Sequence, residues 1–145
     1  MLHQPFFTLS SAQSLTIPLY EITIPAGFPS PADDHLDQML DLNRYLFRHP
    51  AATFLARVRG DSMLGAGIHD GDLIAVDRAL PAHNRHVVVA VLDGEHIVKR
   101  LRRHNGRVWL LPENAAFAPM EVSSEAELTI CGVVTHVIHA LTKQV

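Results

Sequence analysis

A mostly β body of antiparallel strands, preceded by an extended, flexible N-terminal arm and one short helix, is the fold class that the sequence predicts. Three observations carry it. Prolines crowd the first 31 residues, short apolar runs with strand-like alternation follow Ala51, and Asp93-Gly94 and Asn105-Gly106 separate neighbouring runs. The 145 residues, 48% of them hydrophobic, suffice for one domain with an appendage and exclude a wholly disordered chain.

Taken in order, residues 1–31 hold five of the nine prolines (Pro5, Pro18, Pro25, Pro29, Pro31) and one charge, Glu21. Proline lacks the N–H that a helix or a central strand needs, so only short extended pieces such as 15–17 and 19–24 fit here. The apolar residues Phe6, Phe7, Leu9, Leu15, Ile17, Ile22 and Ile24 imply an arm that docks, because a solvated tail has no need of them. An acidic stretch (Asp33, Asp34, Asp37, Asp41) follows. Asp34 or Asp41 is placed to cap a short helix with apolar positions Leu36, Met39, Leu40, Leu42, Leu46 and Phe47, and Pro50 stops it.

Residues 53–59, 73–77, 87–92, 95–103, 107–111 and 127–141 read as strands, the last long enough to bend near Gly132. Asp-Gly and Asn-Gly both tolerate positive φ, which the tightest hairpin turns require. The expected division is an arm and linker over 1–41 and a folded domain over 42–145.

Charge and cysteine usage narrow the function. The net charge of −3 argues against nucleic-acid binding through the overall field. A single cysteine, Cys131, makes no internal disulfide and fits a reducing compartment. The longest apolar run, 87–92, falls far short of the ~20 residues that span a bilayer. No Lys or Arg precedes Arg44, so the basic start of a secretory signal is missing. The expectation is a soluble, cytoplasmic protein with no membrane partner.

Four of the eight glycines fall within residues 60–71, around Ser62. Such a loop presents a hydroxyl and adjacent backbone N–H groups to one small site, as acyl transfer needs; an ordinary polar turn is the alternative. Lys99 shares a face of its strand with Ile97 and Leu101, opposite His96, Val98 and Arg100. If that face is the core face, burial lowers the lysine pKa and makes it a base that can deprotonate a serine unaided. A solvent-facing lysine is the alternative, and periodicity does not say which face is inward.

The stretches Gly60-Asp61-Ser62-Met63, Gly67-Ile68-His69-Asp70-Gly71-Asp72 and Val76-Asp77-Arg78, with Lys99 in Val98-Lys99-Arg100-Leu101, resemble the nucleophile region and lysine of the LexA/UmuD self-cleaving family. Ala26-Gly27-Phe28-Pro29-Ser30-Pro31 is similar to that family's cleavage site. Asp41-Leu42-Asn43, His49-Pro50 and Gly132-Val133-Val134-Thr135-His136-Val137 resemble its UmuD branch. The likeness covers nearly the whole chain from Ala26, with departures at Arg85-His86, where relatives often carry Gly-Asp, at Ala26, which agrees with LexA rather than with the best-known UmuD, and at Phe117.

The resemblance implies a LexA-like peptidase domain, commonly dimeric, with Ser62 as nucleophile and Lys99 as general base. It implies Ala26–Gly27 as the scissile bond and the N–H of Ser62, with that of Met63, as oxyanion donors. It further implies self-cleavage on a RecA–single-stranded DNA filament during the SOS response. The trimmed homodimer would then serve an error-prone Y-family, UmuC-like polymerase subunit in translesion synthesis. Competing readings are a LexA-type repressor, for which the 61 residues before Ser62 lack paired helices, a membrane-anchored signal peptidase, and an idle polymerase-binding protein.

No cofactor or metal is expected. The histidine pairs close in sequence, His83/His86 and His136/His139, have a spacing that diverges on strands. Lys99, Arg100, Arg102, Arg103 and Arg107 fall in one hairpin, either a solvated face or a patch for DNA or a partner.

Overall fold

Alternating side chains become paired strands wherever the chain provides a neighbour of matching length. The structure, a computed structural model, describes residues 15–20, 24, 26–27 and 36–142. These fall into two units that part between Arg48 and His49.

In the first unit, β1 (Thr16–Tyr20) pairs antiparallel with β2 (Leu36–Asp41), from Thr16 opposite Asp41 to Tyr20 opposite Leu36. The helix expected to include Leu36, Met39 and Leu40 is therefore a strand over 36–41. Six residues are too few for an apolar pattern to separate the two periods, and β1 supplies hydrogen-bond partners that a helix does not need. Among the described residues of the expected helix, α1 (Leu42–Leu46) is the part that is helical, and Asp41 caps it by accepting from the N–H groups of Asn43 (3.1 Å) and Arg44 (3.3 Å). This helix lies in the same unit as the β1–β2 ribbon, on the other side of the division from the strands that follow. Leu15, Ile17, Leu19 and Ile24, expected to dock, are exposed. Phe6, Phe7, Leu9 and Ile22 lie outside the described residues.

The second unit is a seven-stranded sheet of β3 (Thr53–Arg57), β4 (Leu73–Asp77), β5 (Val87–Leu92), β6 (Glu95–His104), β7 (Arg107–Leu111), β8 (Met120–Val122) and β9 (Leu128–Ile138). Their order is β3-β4-β9-β5-β6-β7-β8, and every neighbouring pair is antiparallel. The turns at Asp93-Gly94 and Asn105-Gly106 carry positive φ at all four residues, as the dipeptides predict. The long last strand is irregular where a bend is expected. Register slips against β4 and β5 leave Thr135 and Cys131 without a ladder partner on either side of Gly132. A Cβ at Gly132 would lie 2.8 Å from Val76 Cγ1, so glycine lets β9 approach β4 there.

Apolar clusters cover both faces of this sheet. One gathers Val58, Met63, Ile68, Ile74, Val76 and Val89, with Val98 against it. The other gathers Val88, Leu101, Leu110 and Val133, with Ile97 against it. Strand β6 thus has core on both sides, which is why alternation alone does not orient Lys99. No helix among the described residues is long and apolar enough to cross a membrane.

Candidate active site

The loop between β3 and β4 is held at its two ends and along its middle. At its base, Val58 and Gly71–Asp72 continue the ladder through Val58 N to Asp72 O (2.9 Å) and Gly71 N to Val58 O (2.8 Å). Gly60, Gly67 and Gly71 all have positive φ, and Gly60 N donates to Asp70 Oδ1 at 2.7 Å. Met63 and Ile68, 2% and 1% exposed, anchor the loop in the first apolar cluster. A single 3₁₀ turn, Leu64–Ala66, lies between them.

A second segment, distant in sequence, fixes the serine. Glu113 N donates to Ser62 O (2.8 Å), Gly65 N donates to Glu113 O (2.7 Å), and Asn114 Nδ2 donates to Asp61 O (2.8 Å). Glu113 also ion-pairs through its carboxylate with Arg100, the residue after Lys99. Sequence reading missed Glu113 and Asn114; Glu113 holds the loop through its backbone N–H and carbonyl, which leave no residue-type signature, and Asn114 through its side-chain amide.

Lys99, on β6, brings its Nζ to 2.9 Å from Ser62 Oγ and donates to Val98 O at 3.1 Å. The side chain is half-buried, and burial holds its pKa below the ordinary lysine value of 10.5. No carboxylate among the described residues pairs with it, so no anion offsets that shift. The two residues sit in a cleft of about 940 Å³ with apolar walls that include Phe54, Ala56, Met63, Val89, Val98 and Cys131. A hydroxyl, an amine biased toward its neutral form and an apolar groove are the components of serine acyl transfer.

Met63 takes part through its backbone: its carbonyl accepts from Ala66 N (3.0 Å) and Ile68 N (3.3 Å). Among the described residues, neither the Ser62 nor the Met63 N–H donates to a backbone carbonyl. Ala26 and Gly27, in the first unit, form an exposed bend, and a Cβ on Gly27 would meet nothing within 4 Å.

The basic hairpin is largely committed within the chain. Arg100 bonds Glu113 and Arg85 O, Arg102 stacks over Trp109 at 5.4 Å, Arg103 donates to Ala82 O at 3.0 Å, and Arg107 pairs with Glu121 at 3.7 Å. Histidines distant in sequence do converge: His69 and His139 both approach Asp72. The structure does not bring either of the sequence-adjacent pairs into such a group.

Comparison with known proteins agrees with this geometry. The model of the Peptidase S24-like family matches residues 18–135. Protein SamA of Salmonella typhimurium is 48% identical over 124 residues, covering 86% of each chain. Protein ImpA of Escherichia coli is 44% identical over 136 residues, covering 90% of this chain and 88% of its own. Protein MucA of Escherichia coli is 45% identical over 122 residues, covering 83% of each. With the family matched over most of its length and relatives this similar, the chain belongs to the Peptidase S24-like family, as a UmuD-like member of the LexA/UmuD group.

Proposed function

We propose that the protein is a self-cleaving serine endopeptidase that cuts its own chain between Ala26 and Gly27, with Ser62 as nucleophile and Lys99 as general base. The observation that carries this is the 2.9 Å approach of Lys99 Nζ to Ser62 Oγ at a lysine that burial biases toward its neutral form. Neutral Lys99 takes the hydroxyl proton as Oγ attacks the Ala26 carbonyl carbon. The oxyanion forms beside the N–H groups of Ser62 and Met63. The lysine then returns the proton to the departing Gly27 nitrogen, leaving an ester on Ser62 that water hydrolyses with Lys99 again as base. The arm over 1–41 is the substrate, the domain from 42 onward the catalyst. Ala26 and Gly27 form a bend here, so attack on this bond requires the segment to open into an extended substrate conformation, which the fixed φ of Pro25 favours.

The family membership and the UmuD-like relatives support a wider role in SOS mutagenesis. In this reading a RecA–single-stranded DNA filament assists docking of the arm and contributes no catalytic group. The trimmed cytoplasmic homodimer is then an accessory subunit of an error-prone Y-family polymerase. Internal commitment of the basic hairpin fits a protein that makes little direct contact with DNA.

The test is intact-mass analysis of wild type, Ser62→Ala and Lys99→Ala, each incubated with and without the filament. Wild type should yield a fragment of residues 27–145, and both variants should stay whole, a rate loss of about 10⁴-fold or more. Lys99→Arg should also stay whole, because a guanidinium remains protonated. Cleavage that survives in Lys99→Ala would assign the proton to another group. An uncleaved wild type in both conditions would favour an idle polymerase-binding protein.

A further inference from the structure

His69, Asp72 and His139 offer three ligand atoms that all lie within 4.8 Å of one another. The sheet builds this convergence. Leu73 at the start of β4 pairs with Ile138 at the end of β9, so the next residues outward, Asp72 and His139, face each other across the ladder. His69 enters from the closing turn of the Ser62 loop, with its own N–H donating to Asp72 Oδ2 at 2.7 Å. His139 Nδ1 lies 2.5 Å from Asp72 Oδ1, and His69 Nδ1 lies 3.5 Å from Asp72 Oδ2. The two rings lie with centroids 4.5 Å apart, tilted by 32°. The carboxylate is 4% exposed while the imidazoles are 50% and 40% exposed, so the anchor is buried and the mouth is open.

We propose that these three residues form a binding site for one divalent transition-metal ion, ligated by the two imidazoles and the carboxylate. Ligand bonds of 2.0–2.1 Å in a tetrahedron put donor atoms about 3.3 Å apart. The three donor atoms lie within 4.8 Å of one another, with His139 Nδ1 facing Asp72 Oδ1 and His69 Nδ1 facing Oδ2, so side-chain rotations that bring both imidazoles toward one carboxylate oxygen complete the set. Two imidazole nitrogens and one carboxylate oxygen suit zinc, cobalt or nickel, whereas calcium and magnesium take oxygen ligands. The half-exposed histidines leave a fourth position open to water. The ion would connect the loop that carries Ser62 to the end of β9, two segments remote in sequence. This departs from the expectation of no metal, which weighed only histidines close together in the chain.

The experiment is a titration of the full, metal-stripped chain carrying Ser62→Ala with Co²⁺, followed by visible absorption and by thermal unfolding. Ser62→Ala keeps the chain uncleaved, so the readout is independent of the peptidase reading. One equivalent should give the intense visible bands of four-coordinate cobalt, and excess Zn²⁺ should bleach them. At 100-fold excess over Kd the unfolding midpoint should rise by about 9 °C. His69→Ala and His139→Ala, both at partly exposed side chains, should each weaken binding at least tenfold with unchanged circular dichroism. His136→Ala, on β9 three residues before His139, should bind as the parent does. Absence of stoichiometric binding, or binding that persists in the His69→Ala/His139→Ala double variant, would overturn the proposal.

Discussion

The two units of the chain handle their apolar residues in opposite ways. In the seven-stranded unit Ile74, Val76, Val88, Leu101 and Leu110 are fully buried, and core lies on both faces of the sheet. In the ribbon, every residue of β1 is exposed, Ile17 and Tyr20 by 51% each, and Met39 of β2 by 52%. Two strands alone are marginal in water, so the ribbon's backbone pairing is its main internal support. The difference fits the proposed division of labour between catalyst and substrate. A catalyst must hold an amine and a hydroxyl in one geometry, whereas a substrate strand must be able to leave. Cleavage at Ala26–Gly27 would separate β1 from β2 and leave the larger sheet covalently unchanged.

The strongest test of that division is the pH dependence of self-cleavage, because both groups proposed for proton transfer lie in the sheet unit. The Lys99 pKa is lowered by burial, so the neutral, active fraction grows as pH rises and saturates once pH passes the lowered value. Below that point the rate should rise about tenfold per pH unit, then level off before 10.5. The sign for stability is the same. Folding disfavours the charged form, so this cost is fully present below the folded pKa and fades as pH rises through it. A pH–rate profile without filament checks this, and a flat one would move the base away from Lys99. His69 is the histidine nearest Ser62 in sequence, but its Nδ1 faces Asp72.

Core truncation draws the same contrast in stability. Ile74→Ala, at a site with no exposure, should cost about 2–5 kcal/mol in denaturant unfolding. Ile17→Ala, half-exposed on the ribbon, should change the unfolding of the sheet unit by no more than about 0.5 kcal/mol. Equal losses would mean that the ribbon is as tightly built as the sheet.

What could be read from the sequence follows the same boundary. Strands 73–77, 87–92 and 107–111 match the sheet residue for residue, and 95–103 falls one short, because alternation and Asp-Gly or Asn-Gly turns act locally. The strand expected over 53–59 ends at Arg57, and the one expected over 127–141 spans Leu128–Ile138. Strand β8 has three residues, too few for any period to register, and it was not anticipated. Misreading β2 has the same physical root, since its identity depends on β1. At the site, the family motif marked Ser62 and Lys99, and the structure brings them within hydrogen-bond reach. The Glu113 latch and the His69–Asp72–His139 group were not legible, because each is created by contacts between remote segments, loop to loop in the first and across the end of the β4–β9 ladder in the second.

The Glu113 latch provides a finer test of how rigidly the catalytic unit must be held. Gly65 packs so closely that a Cβ there would stand 2.7 Å from Glu113 O, a backbone atom that cannot yield without moving the segment bound to Ser62. Gly65→Ala should therefore destabilise by about 1–3 kcal/mol and slow self-cleavage, measured by unfolding and by intact mass. Normal cleavage in a destabilised variant would show that the latch serves the fold and not the nucleophile.

The smallest expected effect concerns the departure at Arg85. Its φ of 76° lies in the left-handed region, where glycine carries no steric cost. The turn is fixed through the backbone: Arg85 N donates to Leu101 O at 2.8 Å, and Arg85 O accepts from Arg100 at 2.6 Å. Both bonds survive loss of the side chain. Arg85→Gly relieves roughly 1–2 kcal/mol of left-handed strain and adds roughly 0.5–1 kcal/mol of unfolded-state entropy. The balance is a gain of about 0.5 kcal/mol, readable as a rise in the denaturation midpoint at constant slope. A loss instead would mean that the arginine side chain supports the turn, and that this part of the sheet unit depends on a surface contact as well as on its backbone bonds.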